Sequence, residues 1–333
     1  MMLASLYGAE IQIIQAIQVF HFAALDSVMN AISFLGEDLS YMILIIWLWS
    51  SRSPKLVARI AVLLFLSFFL NSFLKDLFEQ PRPFQYGKVL QLGKADGYGI
   101  PSGHAQSSLL FWGMAAVSYP TPRLSRVATA LVLLIGFSRV YLGVHFPTDV
   151  LGGWLVAGVL MIGTFRFGGR IERFLGSLPA PVPLVLAALL CSGLFSLHST
   201  ETAAASLGAF FGLASGLAGF GLQRVRKEGA LNRFVQTAVG AAFLYIALHK
   251  ALPGKGEDGY LAFRFVRYAL LSFWVSGLSP WLSNRAHPAP VPAPPRFKTK
   301  PRLETERMPP SRPKPIEIPG ITRTKKRKPR PTV

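Results

Sequence analysis

The chain has little charge and almost no cysteine. Of its 333 residues, 15% are charged and 51% are hydrophobic, and the mean hydropathy is positive at +0.39. This composition is typical of a polytopic membrane protein and argues against the two soluble domains that the length alone would allow. Cys191 is the only cysteine and lies in an apolar run, so an intrachain disulfide is excluded.

Lysine and arginine are missing from residues 1–51. The positively charged start of a secretory signal peptide is therefore absent from this stretch. Ile11, Ile14 and Ile17 recur at helical spacing with glutamines between them, which predicts one or two amphipathic helices over residues 8–35. We treat residues 1–38 as an N-terminal unit of interfacial helices that lie at the membrane surface or against the rest of the protein.

Basic residues elsewhere in the chain give a formal net charge of +19. They are concentrated in loops and after residue 284, whereas a nucleic-acid binder would need them on one continuous polar surface. Membrane topology and anionic lipid headgroups explain this distribution better. The expected partner is the lipid bilayer, nucleic acid is not expected, and the oligomeric state is left open.

Long apolar runs predict an all-α fold, a polytopic transmembrane helical bundle. In a core unit, residues 39–173, the predicted spans are 39–51, which is short and needs help from preceding residues, then 56–74, 102–119, 124–143 and 147–165. In an accessory unit, residues 174–283, four extra C-terminal spans are predicted near 181–198, 203–222, 234–252 and 261–283. Gly208, Gly212 and Gly216 repeat every four residues on one helix face, which indicates close packing against another helix.

Loop charges predict the orientation of these spans. The turns at 52–59, 120–126, 166–173 and 224–233 are basic, which places them in the cytoplasm. The intervening loops then face outward, and the C-terminus is cytoplasmic. Residues 284–333 are basic and rich in proline, so they predict a disordered tail that either contacts anionic lipids or is solvated. The bacterial inner membrane is the expected location.

Three short polar segments interrupt the apolar sequence of the core unit: Lys75 to Pro83, Pro101 to His104, and Ser138 to Asp149. Each lies where an apolar run meets a loop, so the three can meet at one membrane face. Arg82 and Arg139 carry guanidinium forks that suit a phosphoryl group, and Lys75 adds a third cation.

The second and third segments add the remaining groups of a phosphate site. Proline at position 101 predicts a helix start that places Ser102 and Gly103 at an N-terminus, where free backbone N–H groups favour an anion. Asp149 follows His145 by four residues and can orient its imidazole as a nucleophile. His104 is then available to protonate the departing oxygen. Residues 99–103 do not form the Gly-x-Ser-x-Gly elbow of a serine hydrolase.

Together the three segments resemble the pattern of the type 2 phosphatidic acid phosphatase superfamily, which also contains the vanadium haloperoxidases. The family pattern is Lys, six residues, Arg-Pro; then Pro-Ser-Gly-His; then Ser-Arg, five residues, His, three residues, Asp, and this chain matches every position. The resemblance extends over residues 25–168. It implies that His145 forms a phosphohistidine, that Asp149 orients it, and that His104 is the acid. It implies phosphate contacts from Lys75, Arg82, Ser102, Gly103 and Arg139, and it implies no metal or other cofactor.

The resemblance leads us to expect a membrane phosphatase that hydrolyses a lipid phosphomonoester or diphosphate. The candidate substrates are undecaprenyl diphosphate, phosphatidylglycerol phosphate, phosphatidic acid and a sphingoid-base phosphate. A lipid phosphotransferase that uses the same site stays open, as does a phosphatase core joined to a lipid transport module. A haloperoxidase is disfavoured because those relatives are soluble, and a scaffold with an inactive site is disfavoured because the pattern is complete.

Overall fold

A computed structural model describes residues 2–51, 54–179, 181–222 and 229–286, and in these residues the fold is all-helical. The predicted tail lies outside the described residues from 287 onward. The helices are α1 (Met2–Gln18), α2 (Ala23–Phe34), α3 (Asp38–Ser51), α4 (Pro54–Phe78), α5 (Gly103–Ser118), α6 (Pro122–Tyr141), α7 (Pro147–Ser177), α8 (Pro181–Leu197), α9 (Glu201–Phe220), α10 (Ala230–Ala251), α11 (Tyr260–Phe273) and α12 (Ser279–Ala286).

Among the described residues, six helical segments are long and apolar enough to cross a membrane, which confirms the prediction of a polytopic bundle. A seventh is added if α2 and α3 count as one span bent by 50°, so the short run at 39–51 does join the helix before it. Helices α5 and α8 contain only 16 and 17 residues. At 1.5 Å per residue they are about 24 and 26 Å long, which lies at the short end for a membrane span, and their ends agree with the predicted bounds 102–119 and 181–198 to within one residue.

Helix α4 lies at the centre of the largest buried cluster. Its residues Ile60 and Leu64 pack with Leu110 of α5 and with Ala209 and Leu213 of α9. Between helices in lipid, such packing depends on close contact more than on exclusion of water. The accessory helices are therefore packed onto the core helix whose last turn contains Lys75.

Glycines allow two of the closest helix approaches. A Cβ on Gly153 of α7 would lie 2.5 Å from the carbonyl oxygen of Ser102, so α7 can meet the start of α5 only with glycine there. Gly158 has no neighbour within 4 Å and plays no such role. On α9, a Cβ on Gly208 or Gly212 would collide with backbone carbonyls of α11, which confirms the close packing predicted from the glycine repeat.

His198, which follows α8, joins the accessory helices to α4. Its Nε2 lies 3.0 Å from the Ser72 hydroxyl and 3.6 Å from an Asp76 carboxylate oxygen, and its ring packs edge-on against Phe73. A single histidine among apolar residues predicts a structural role for His198 and no partner. It is structural but not isolated, because the return from α8 brings it against the last turns of α4.

Two of the basic turns meet at the end of the protein opposite Lys75. Glu172 near the end of α7 forms ion pairs with Arg59 and with Lys55, the latter at 3.0 Å, near the start of α4. Since α4 and α7 run in opposite directions, the end of α4 and the start of α7 lie together at the other side of the bundle.

Candidate active site

The three predicted segments converge at one end of the helices α4 to α7. The Ser102 N–H donates to the carbonyl oxygen of Asp149 at 2.9 Å, which joins the second segment to the third. One terminal nitrogen of Arg82 donates to the carbonyl oxygen of Val144 at 2.8 Å, which joins the first segment to the third. Helix ends separated by long apolar runs thus form a single polar site.

His145 and Asp149 form a buried pair at the start of α7. The His145 Nδ1 lies 3.2 Å from Asp149 Oδ2, and the same oxygen accepts the Phe146 N–H at 2.9 Å. Both side chains are at most 1% exposed. The helix begins at Pro147, as the sequence predicts. An Nδ1–H that donates to the carboxylate leaves a lone pair on Nε2, which is the form that a nucleophilic imidazole needs.

Arg82 lies beside the other imidazole nitrogen of His145, Nε2. Its guanidinium donates to the carbonyl oxygens of Asp96 at 2.7 Å and Gly97 at 2.8 Å, in addition to Val144. The terminal nitrogen that contacts Val144 also lies 3.2 Å from His145 Nε2. Because a guanidinium can only donate, this contact also favours the tautomer with its lone pair on Nε2.

The electrostatics keep His145 neutral. Burial of the ring, followed by the positive charges of Arg82, Arg139 and Lys75, lowers the pKa of His145 well below its ordinary value of 6.5. The imidazole in the free protein therefore carries no proton on Nε2 at neutral pH.

The second segment begins its helix later than predicted. Helix α5 starts at Gly103 with Ser102 as its N-cap, so Pro101 precedes the cap instead of occupying the first turn. The reason is that the Ser102 N–H is committed to Asp149, while the Pro101 carbonyl oxygen accepts from Asn71 at 3.1 Å. The predicted location of Ser102 and Gly103 at a helix N-terminus is nevertheless confirmed.

Several polar atoms at this end of the bundle are buried and have no partner among the described residues. They include Ser102 Oγ, His104 Nε2 and Arg139 Nε, which can donate, and one acceptor, Asp149 Oδ1. Arg139 is 5% exposed, and one of its terminal nitrogens donates to the Ser33 hydroxyl. Buried donors without partners are costly, so their concentration around His145 indicates a site that accepts an anion.

Supporting residues were not identified from the sequence. The Asn71 amide also donates to the side-chain oxygen of Gln106 at 2.9 Å, and the Gln106 amide donates to the Ser67 hydroxyl at 2.6 Å. These two bonds hold the start of α5 against α4. The only signal in the sequence is that single polar residues interrupt apolar helical runs. Ser33 carried no such signal, since its partner Arg139 is 106 residues away.

Comparison with known proteins agrees with this geometry. Residues 56–173 match the PAP2 superfamily, and residues 200–290 match the transmembrane extension of PAP2 superfamily phosphatases. Phosphatidylglycerophosphatase B of Bacillus subtilis (strain 168) is 31% identical over 163 residues, which cover 45% of this chain and 78% of that protein. The chain belongs to the PAP2 superfamily. The resemblance described above is therefore confirmed, and the accessory helices of this PAP2 protein correspond to an extension found in the same superfamily.

Two further relatives are phosphatases by name. Undecaprenyl-diphosphatase BcrC of Bacillus subtilis (strain 168) is 29% identical over 157 residues, which cover 46% of this PAP2 protein and 80% of the relative. Sphingosine-1-phosphate phosphatase 2 of Mus musculus is 30% identical over 167 residues, which cover 47% of each chain. The alignment thus spans about half the length of the mouse protein.

Proposed function

We propose that this PAP2 protein is an integral membrane lipid-phosphate phosphatase that hydrolyses a phosphomonoester or diphosphate through a phosphohistidine. The observation that carries the proposal is the buried His145 imidazole, oriented by Asp149 on one nitrogen and facing Arg82 on the other. Catalysis then needs no metal ion, since the fixed cations and the start of α5 stabilise the charge on the phosphoryl group.

In the first step, His145 Nε2 attacks phosphorus and the bond from phosphorus to the ester oxygen breaks. His104, which takes up a proton when the phosphate anion binds among the cations, donates it to that oxygen, so the lipid leaves as an alcohol, or as a phosphomonoester when the substrate is a diphosphate. Asp149 stabilises the positive charge that develops on the imidazole. Lys75, Arg82 and Arg139 hold the non-bridging oxygens, together with the Ser102 hydroxyl and the backbone N–H of Gly103.

In the second step, water attacks the phosphohistidine from the side that the lipid has left. His104, now neutral, accepts a proton from this water, the bond between phosphorus and Nε2 breaks, and inorganic phosphate is released. His145 regains its lone pair and His104 regains its proton, so the site returns to its starting state. Transfer to another lipid or sugar alcohol would follow the same step with that alcohol in place of water.

An apolar groove supports a substrate with a lipid tail. The groove has a volume of about 360 Å³ and is lined by α5, α6 and α7, including Leu109, Val117, Val132 and Trp154. Its α5 residues, from Leu109 to Val117, follow His104 along the same helix, which favours this groove as the place for a tail whose phosphate is bound at the site. The candidate headgroups are those of phosphatidylglycerol phosphate, undecaprenyl diphosphate, sphingoid-base phosphate and phosphatidic acid.

We place the site on the outward face of a bacterial inner membrane. The basic turns that contain Lys55 and Arg59 lie at the opposite end of the bundle from His145, as the ion pairs of Glu172 show. Positive loops favour the cytoplasmic side, which leaves the site facing outward.

Phosphate release by detergent-purified protein tests the proposal. The four candidate lipids are incubated with the protein in the presence of a chelator, with His145→Ala as the inactive variant and the exposed His249→Ala as the matched control. We expect release by the wild type and by His249→Ala, and none by His145→Ala. Release by His145→Ala, or loss of all release on chelation, would contradict the mechanism. Transfer of phosphate to an added alcohol without free phosphate would favour a phosphotransferase.

A further inference from the structure

Glu10 of α1 is a buried carboxylate whose two oxygens both contact Thr148, the residue between Pro147 and Asp149. Oε1 accepts the Thr148 N–H at 2.8 Å, and Oε2 accepts the Thr148 hydroxyl at 3.0 Å. The side chain is 4% exposed, and the two residues are 138 positions apart in the chain. A buried charge with this geometry is an ordered contact and not a solvated surface group.

The contact lies at the point where the geometry of the nucleophile is set. Thr148 is in the first turn of α7, where a carboxylate is favoured by free N–H groups and by the helix dipole. Asp149 is in the same turn, but its Oδ2 faces the Phe146 N–H and His145 Nδ1 instead. Glu10 therefore supplies the negative charge at the Thr148 N–H in the first turn of α7, because the Asp149 carboxylate contacts Phe146 and His145.

Other residues of α1 hold the chain on both sides of His145. The Tyr7 ring stacks on Phe146 with centroids 5.1 Å apart. The Gln18 amide donates to the carbonyl oxygen of Tyr141 at 3.0 Å, just before the loop that carries His145. Helix α1 thus fixes residues 141 to 148 from outside the segment 56–173 that matches the superfamily.

Glu10 does not act on the substrate itself. Both of its oxygens are occupied by Thr148, and its influence on the imidazole passes through the first turn of α7. A carboxylate with this arrangement orients a neighbouring group but does not transfer a proton.

We propose that Glu10 is a positioning residue of the phosphatase site, which holds the start of α7 so that Asp149 keeps His145 aimed at phosphorus. The inference rests on the proposed function. It predicts a defect in turnover with little change in substrate binding, because Glu10 does not touch the phosphate.

Two substitutions of Glu10 separate positioning from a purely structural role. Glu10→Ala removes both contacts and should lower kcat about tenfold with KM unchanged, because the loss reaches His145 only through the first turn of α7. In Glu10→Gln the amide oxygen accepts the Thr148 N–H and the amide N–H donates to the hydroxyl, so kcat should largely recover. Gln12→Ala changes an exposed residue on the same helix and should match the wild type.

The outcomes are read on protein that elutes as a single folded species in detergent. Wild-type kcat in Glu10→Ala, or a lower melting temperature with unchanged kcat, would overturn the proposal. An equal loss in Glu10→Gln and Glu10→Ala would also overturn it. If Glu10→Ala does not fold, Thr148→Val removes only the hydroxyl contact and should lower kcat about threefold, and an unchanged kcat in that variant counts against the proposal.

Orthovanadate separates a failure of this inference from a failure of the proposed function. Vanadate forms a five-coordinate adduct on an imidazole nitrogen. The change in melting temperature that vanadate causes therefore depends on the orientation of the His145 imidazole and needs no lipid. We expect a smaller vanadate-induced increase in Glu10→Ala than in wild type and Glu10→Gln. If the wild type releases no phosphate, the proposed function fails, while equal vanadate shifts in all three proteins would refute the role of Glu10.

Discussion

Replacement of Asp149 by asparagine tests the link between the carboxylate and the nucleophile with almost no change in shape. Oδ2 of Asp149 accepts two hydrogen bonds, from the Phe146 N–H at 2.9 Å and from His145 Nδ1 at 3.2 Å. Asparagine has one acceptor oxygen, and its amide nitrogen can only donate. An amide oxygen in the place of Oδ2 can keep both bonds but carries no negative charge, and if the amide is turned round its nitrogen faces His145 Nδ1 instead.

The expected defect is large because a turned amide donates to Nδ1 and selects the other tautomer of the imidazole. With its proton on Nε2, His145 has no lone pair for phosphorus, and that proton faces the Arg82 nitrogen 3.2 Å away. The variant also lacks the negative charge that stabilises the developing imidazolium. Together these effects should lower kcat by about 10³-fold or more, as the loss of an orienting carboxylate does in catalytic triads.

The assay is steady-state phosphate release by Asp149→Asn from the lipid that the wild type prefers. Asp258→Asn makes the same chemical change at an exposed position and should keep full activity. A melting curve in detergent shows whether Asp149→Asn is folded. A folded Asp149→Asn protein within about tenfold of the wild-type kcat would refute the proposed orientation of His145.

Two further predictions concern the cation site and the accessory helices. Arg139→Lys should lower kcat/KM by about 30-fold or more, because a single ammonium cannot contact both Ser33 and a phosphate oxygen as the guanidinium can. The control Arg126→Lys makes the same change at an exposed position and should match the wild type. Full activity of Arg139→Lys in the phosphate assay would contradict a bidentate role. Gly212→Ala should lower the melting temperature, since its Cβ would collide with the Ala269 carbonyl oxygen of α11, while Gly219→Ala on the same helix meets nothing within 4 Å and should not. Equal melting temperatures would show that α9 and α11 do not depend on this contact.

The sequence predicts the polar end of the bundle well because the relevant signals are local. Arg82, Ser102 and His145 lie in short segments with fixed spacing, and each segment adjoins the end of an apolar run. Helix ends on the same side of a bundle can meet, so the number and direction of the spans make their convergence possible, and the contacts between Ser102, Arg82 and residues 144–149 show it. The roles of these side chains in catalysis stay predictions until they are measured.

Contacts between residues far apart in the chain leave no signal in the sequence around either residue. Glu10 lies in the segment 8–35 that is predicted to be amphipathic, and only the fold brings it to Thr148, 138 residues later. The start of α5 was misplaced because the Ser102 N–H is taken by the Asp149 carbonyl oxygen, a contact between different helices.

The central claim is a covalent bond between phosphorus and His145 Nε2, and rapid quenching with a ³²P-labelled lipid phosphate tests it most directly. The label should appear on the protein during turnover, survive alkali, be lost in acid, and map to the peptide that contains His145. His145→Ala should retain no label, and His249→Ala should be labelled like the wild type. Turnover without labelled protein at any time point, or label on a residue other than His145, would contradict the account.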